Sequence, residues 1–261
     1  MAGDGDLVQD ASVLVTAGAG GAGRVIAQGF ADRGAHVAVC DVNAEAVAAV
    51  NAGTATIKAY HADVSDEVAV DQIFADLEAS GRPVDVVVNN VGIAGPTAGI
   101  EDIALADWQR SLDVNLTSFF LTIRRATPRM KQRGRGAIVN ISSASVKTGL
   151  PMRLPYIVTK GAVVNMTTTL ARELGPDGIR VNAILPGAIR GDRINTIIQQ
   201  KAAAMNRTAA DYEAELLRYT SLRTMVEPED IANMAVYLAS AQGARMSGQC
   251  IGVDGNAEYE V

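Results

Sequence analysis

The chain has 261 residues, 48% of them hydrophobic but only 4% aromatic, with 23 Lys and Arg against 29 Asp and Glu for a formal charge of -6. That acidic balance argues against a nucleic-acid partner, which needs a basic face to displace counterions, and it leaves Val, Ala, Ile and Leu to build buried parallel strands under close-packed helices. Acids occupy the opening MAGDGDL where a signal peptide carries positive charge, no apolar run reaches bilayer length, and Cys40 and Cys250 lie inside apolar runs, so a cytoplasmic protein with structural thiols, no membrane segment and no metal site is expected.

Taken in chain order, a Val-rich run at residues 12–17 leads into a glycine-dense turn, TAGAGGAG at Thr16–Gly23, and a helical stretch at 22–33. Glycines let a backbone turn tightly and approach a pyrophosphate, and the helix N-terminus behind them offers free N–H groups and a positive dipole end. Gly18, Gly21, Ala22 and Gly23 are therefore candidates for cofactor contact. The second strand, 36–41, ends on Asp41, whose carboxylate can accept from both hydroxyls of an adenosine ribose and would repel a 2'-phosphate. Gly20 and Val42 bring no cation for such a phosphate, so NAD is expected over NADP. Arg24 is the residue that speaks for NADP, and capping of a helix at Asn43 is the alternative duty of Asp41.

Strands at 56–61 and 84–89 alternate with helices at 44–51 and 66–80, and a long helical stretch follows at 105–132. Within it Asn115 of SLDVNLTSF is polar among apolar residues, either a satisfied core amide or an anchor for a water leading from Lys160. The strand at 136–141 runs into Ser142 and Ser143. A Ser143 hydroxyl at a strand's carboxyl end would face the cleft and hold a substrate oxygen, with Ser142 as the alternative because adjacent side chains diverge. In the helix at 155–174, Tyr156 and Lys160 stand four apart on one face. An ammonium beside a phenol stabilises the phenolate, which equips Tyr156 as general base in oxidation and general acid in reduction. Alone, a Tyr-x-x-x-Lys pair is common on helix surfaces.

The strand at 179–185 is closed by Pro186 and Gly187, the helix at 228–240 begins at Pro228 with acids in its first turn, and the last strand is 249–253. Seven strands with helices between them imply a doubly wound, seven-stranded parallel α/β sheet in a single domain, residues 1–261. The stretch at about 188–225 breaks the alternation: Thr208 and Asp211 read as a cap, and Tyr212, Leu216 and Tyr219 fall at i, i+4 and i+7. It is expected to be a mostly helical flap over the active site, the alternative being a helical pair packed there for stability. One or two of Lys147, Arg153 and Arg193, with Arg190 nearby, are expected to meet a carboxylate, sulfonate or phosphate on the substrate, against the alternative of solvated cations or ones paired to local acids such as Asp192.

These segments together resemble the short, single-domain branch of the short-chain dehydrogenase/reductase family, from about Ala11 to Gly255. The matching pieces are TAGAGGAG, Asp41, ADV at Ala62–Val64, NNVG at Asn89–Gly92, DVN ending at Asn115, NISS ending at Ser143, YIVTK from Tyr156, RVNAILPG ending at Gly187, and VDG at Val253–Gly255. The resemblance implies a Rossmann fold and an oxidoreductase that moves hydride between NAD and a secondary alcohol or ketone. It also implies a proton-handling tetrad of Asn115, Ser143, Tyr156 and Lys160, with Lys160 and Tyr156 touching the cofactor, Asp63 and Val64 beside the adenine, Asn90 near the adenosine ribose and Ile189 at the nicotinamide carboxamide. The family forms tetramers through the helices of Asn115 and Tyr156, which makes a homotetramer the expectation. Three positions depart from the pattern: Ala17 for its first glycine, with Gly18 beside it to keep the turn; Gly191 for a threonine that contacts the carboxamide, leaving that contact to backbone groups or Arg190; and Asn256 for the glycine after VDG. The competing readings are an NADP-dependent carbonyl reductase, an epimerase or dehydratase of the same superfamily, which usually carries a larger second domain, and a non-catalytic dinucleotide sensor, which typically lacks the tyrosine or lysine.

Overall fold

Every one of the seven Val- and Ile-rich runs forms a strand in a computed structural model of the chain, which describes residues 8–53 and 56–257. The acidic opening residues 1–7 lie outside the described residues. The strands are β1 (Ser12–Thr16), β2 (His36–Asp41), β3 (Ile57–His61), β4 (Val86–Asn89), β5 (Gly136–Ile141), β6 (Ile179–Pro186) and β7 (Cys250–Val253). The helices are α1 (Gly21–Ala31), α2 (Ala44–Gly53), α3 (Glu67–Ala79), α4 (Leu105–Leu112), α5 (Ser118–Arg133), α6 (Leu154–Leu174), α7 (Asp192–Ala204), α8 (Ala209–Leu217) and α9 (Pro228–Ala239). The strands pair in parallel in the order β3-β2-β1-β4-β5-β6-β7.

Both faces of the central strands are covered, which is why β1, β4 and β5 read as near-continuous apolar runs while the edge strands β3 and β7 are partly exposed. Val13, Val15, Val37, Val39, Val86 and Val88 face α1 and α9, where Ile26, Phe30, Ile231 and Leu238 are sealed from solvent. Leu14, Ala38, Cys40, Val87 and Ile138 point the other way, onto Phe74 of α3 and Leu121 and Met130 of α5. Each fully buried side chain of this size contributes about 1.5–3 kcal/mol, so a one-residue slip, which would turn a strand's side chains to the opposite face, is strongly disfavoured. The strand ends are thereby held in register.

Two expectations about helices need correction. The single helix over 105–132 is broken by a π segment at Asp113–Thr117. The extra residue in that turn brings Asn115 inward, where its amide makes two hydrogen bonds to the backbone of Ile93; single π turns often sit at functional positions. In the excursion at 188–225, Thr208 caps α8 by accepting from the Asp211 N–H at 3.1 Å, as its spacing suggests. The helix then stops at Leu217 instead of reaching Tyr219, because the chain turns to pair with the C-terminal segment: Ser221 N donates to Asn256 O and Leu222 N to Gly255 O, both at 3.1 Å.

Candidate active site

The cleft of an open α/β sheet lies beyond the strands' carboxyl ends, where strand order reverses. Here that point is β1, which pairs with β2 on one side and β4 on the other. In the turn after β1, Ala17 itself takes the left-handed conformation, φ 49°. Gly18 has no positive φ, whereas Gly21 does, at 51°. A Cβ on Gly18 would stand 2.7 Å from Val39 Cγ1, so its lack of a side chain serves close approach to β2. A Cβ on Gly23 would run into the Ala17 carbonyl and stand 2.6 Å from Asn90 Nδ2, whereas Cβ atoms on Gly20 and Gly21 would meet nothing within 4 Å. No side chain caps α1 at Gly20. The turn therefore presents bare backbone and unclaimed helix N–H groups, a fit for a pyrophosphate.

Two side chains brace that turn from neighbouring strands. Asn90 donates through Nδ2 to the carbonyls of Thr16 (3.1 Å) and Ala17 (3.2 Å), and its own N–H bonds Thr16 Oγ1 at 2.9 Å. Asp41 accepts from Ala19 N at 3.3 Å and from Asn43 N at 3.0 Å. The contact with Asn43 N is the local duty read for Asp41, and the first turn of α2 is itself capped by Asn43 Oδ1 accepting from Ala46 N. Val42 is 62% exposed beside it and carries no charge, while Arg24 is half-buried with its Nη1 enclosed. Past β3, the Val64 side chain is buried in the core and Asp63 is tied to Ser65 and Arg110. Burial pushes the Asp63 carboxyl up, but the Ser65 hydrogen bonds and the Arg110 guanidinium outweigh it and hold it below its ordinary value. Ile189 bridges Val226 just after β6.

The expected proton-handling residues lie on the β5 side. Lys160 is 3% exposed and its Nζ donates to the carbonyl of Ile141, the last residue of β5, at 2.8 Å. The same ammonium sits 5.3 Å over the Phe119 ring, and a Cβ on Gly92 would be 3.1 Å from it and 3.5 Å from Asn115 Oδ1. Asn115 is a satisfied amide: Oδ1 accepts from Ile93 N at 2.7 Å, and Nδ2 donates to Ile93 O and to Thr159 Oγ1. The two serines diverge as expected. Ser142 Oγ donates to the Lys160 carbonyl at 2.8 Å, and Ser143 Oγ bonds Ser145 Oγ at 3.1 Å, at the head of the short turn after β5. Tyr156 is half-buried, one turn before Lys160 on α6.

The cations expected to meet an acidic substrate are engaged locally. Lys147 pairs with Asp254 at 3.5 Å, Arg190 with Glu227 at 2.9 Å and Glu213 at 3.5 Å, and Arg153 donates to the Ala94 carbonyl at 2.9 Å while lying over the Tyr156 ring. The Arg193 side chain lies outside the described residues. Gly191 has φ 152° and ψ 176° at the head of α7, a conformation open to glycine alone, so the family's threonine would not fit this backbone.

Sequence reasoning missed the groups that hold these side chains. Thr16, Thr159 and Phe119 carry no short-range signal. Nor does the buried ladder in which Thr122 Oγ1 donates to Asn89 Oδ1 (2.7 Å), Asn89 Nδ2 to Asn140 Oδ1 (3.0 Å) and Asn140 Nδ2 to Thr167 Oγ1 (3.0 Å), linking α5, β4, β5 and α6.

Fold and site define a dinucleotide-dependent oxidoreductase of the single-domain α/β type. The chain belongs to the short-chain dehydrogenase/reductase family: residues 17–256 match a family model described as enoyl-(acyl carrier protein) reductase. It is 37% identical over 243 residues to a 3-alpha-(or 20-beta)-hydroxysteroid dehydrogenase of Mycobacterium tuberculosis, covering 93% of this chain and 87% of that one. It is 33% identical over 250 residues to a 2,5-dichloro-2,5-cyclohexadiene-1,4-diol dehydrogenase of Sphingobium indicum, covering 94% and 95%. A 7 alpha-hydroxysteroid dehydrogenase solved with NADH and 7-oxo glycochenodeoxycholic acid superposes with a TM-score of 0.87 at 30% identity, covering 97% of this chain and 96% of the other.

Proposed function

We propose that this protein is an NAD-dependent dehydrogenase that interconverts a neutral, largely apolar secondary alcohol and its ketone, with Tyr156, Lys160 and Ser143 handling the proton. The observation that carries the reading is the Lys160 ammonium, sealed from water and hung on the Ile141 carbonyl at the cleft end of β5, one helical turn from Tyr156. Bound NAD supplies the hydride acceptor. The glycine turn, Asp41 and the N-terminus of α1 hold it, with Asp63, Val64 and Ile189 flanking the adenine and carboxamide ends. Asn90 acts on the ribose side indirectly, by bracing the turn.

In oxidation the phenolic oxygen of Tyr156 takes the alcohol proton, and the nearby ammonium stabilises the phenolate while charge develops. Ser143 positions the substrate oxygen by a hydrogen bond. Asn115 ties the π segment between α4 and α5 to Ile93, so its amide acts on the proton path by fixing the wall beside Lys160. A neutral substrate is favoured over an acidic one because Lys147 and Arg190 already face carboxylates, whereas Met152, Leu154, Met205 and Leu222 are exposed on the segments after β5 and β6. The helical excursion at 188–225 serves as the substrate flap.

The protein acts as a cytoplasmic homotetramer. A concavity of about 660 Å³ runs between α5 and α6, with Phe120 half-exposed and Ile123, Met166 and Leu170 along it. With Arg124 and Lys131 paired to Glu67 and Asp177 within the chain, the apolar part of this face suits a two-fold contact with itself. No helix among the described residues is long and apolar enough to cross a membrane.

Incubation with NAD and a panel of neutral and acidic secondary alcohols, followed by absorbance of the reduced nicotinamide, tests the reading. Net reduction with the neutral apolar members is expected, and Tyr156→Phe should lower kcat by about 10³-fold with NAD binding intact. Equal turnover by Tyr156→Phe, binding without turnover, or a change of stereochemistry without net reduction would each overturn it.

A further inference from the structure

We infer that Arg110 of α4 is a positioning residue for the adenine end of the cofactor, setting the Asp63 carboxylate so that it offers one acceptor direction to a single N–H donor on the base. The inference rests on the NAD reading above. Asp63 follows β3 beside the end of β2: Asp41 pairs in register with His61, and Ala62 N donates to the Asp41 carbonyl at 3.0 Å. A base carried by a ribose at Asp41 therefore has the Ala62–Ser65 turn as its neighbour on the β3 side.

The hydrogen-bond valences of that turn can be counted. An ionised carboxylate offers about four lone-pair sites. Oδ1 of Asp63 accepts twice from Ser65, from the backbone N–H at 2.9 Å and from Oγ at 2.6 Å. Oδ2 accepts once, from Arg110 Nη2 at 2.9 Å. The second guanidinium nitrogen, Nη1, donates to Ser65 Oγ at 3.0 Å. That bond closes a three-residue ring: the Ser65 oxygen takes a hydrogen from Arg110, so its own hydrogen goes to Asp63. Among the described residues one site on Oδ2 is left. The held-down Asp63 carboxyl agrees with a group kept ionised in this ring.

An open, oriented carboxylate oxygen reads a donor. Adenine presents an exocyclic amine there, and hypoxanthine presents a carbonyl oxygen that the carboxylate repels. Without Arg110, Oδ2 has two open sites and the carboxylate loses one of its two tethers, so selection between the bases weakens. Lysine lacks the rigid planar fork that holds both Asp63 and Ser65 in one geometry, so its bonds orient the carboxylate less firmly.

The test is calorimetric titration of the parent, Arg110→Met and Arg110→Lys with NADH and with its reduced hypoxanthine analogue. The parent should prefer NADH by about tenfold, Arg110→Met by about twofold to threefold, and Arg110→Lys should fall between them. If Arg110 only anchors α4 to the turn, both ligands weaken equally in Arg110→Met and the ratio stays put, which overturns the inference. A parent that binds both dinucleotides alike also overturns it and leaves the functional reading standing. A parent that binds no NADH removes the functional reading, and this inference with it.

Discussion

The carboxylate of Asp41 accepts the backbone N–H of Ala19 across 3.3 Å, so the residue that ends β2 also steadies the glycine turn that ends β1. Its other oxygen takes Asn43 N at 3.0 Å. One side chain thereby braces the turn that is proposed to hold the pyrophosphate, and in that reading its carboxylate stands against a 2'-phosphate.

Asp41→Ala should therefore weaken NAD binding about tenfold, the scale of one lost charge-assisted hydrogen bond, and improve NADP relative to NAD. Dissociation constants for both reduced dinucleotides, read by fluorescence, check this. A uniform loss for the two would assign Asp41 to the turn alone.

Ala17 sits at φ 49°, where an L-residue costs roughly 1–2 kcal/mol. Ala17→Gly relieves that strain but adds freedom to the unfolded chain. The expected net effect is a stabilisation of about 0.5–1 kcal/mol, visible as a higher denaturant midpoint with an unchanged slope. A lower midpoint would show that the turn is unstrained.

Gly92→Ala would place a methyl 3.1 Å from Lys160 Nζ, against an ammonium already fastened to Ile141. Overpacking there should cost about 1 kcal/mol of stability, and the displaced ammonium should lower kcat about tenfold, since small misplacements of acting groups are expensive. The checks are turnover at saturating NAD and a thermal melt. Full kcat with an unchanged melt would dissociate Gly92 from the placement of Lys160.

Burial pushes the Cys40 thiol up to about 12, with Asp41 adding to the rise and the Ala17 backbone opposing it. In the folded protein at pH 8 it should resist iodoacetamide, with alkylation counted by mass spectrometry before and after unfolding. The sign of the linkage is set by the raised folded value: the unfolded thiol loses its proton first, so stability falls as pH climbs above the ordinary 9.0 toward 12. Cys40→Ala should flatten that alkaline decline in the denaturant midpoint.

Much of the molecule was readable before any coordinate. Apolar runs of strand length at regular intervals specify seven strands, and a Tyr-x-x-x-Lys pair on the helix that follows a strand-end serine marks the β5–α6 unit as the proposed catalytic side of the sheet. These signals are local, because strand and helix periods repeat within a few residues. What only the tertiary structure decided is long-range. Ala17 carries the left-handed backbone while Gly18 beside it lies close against Val39, about twenty residues on in the chain. The 105–132 stretch carries a π segment at Asp113–Thr117 in which Asn115 bonds the backbone of Ile93, over twenty residues back in the chain. The cations near the cleft are taken by acids that strand order brings alongside, as with Lys147 and Asp254, 107 residues apart. Partners at such separations leave no periodicity in the sequence, since it is packing that selects them.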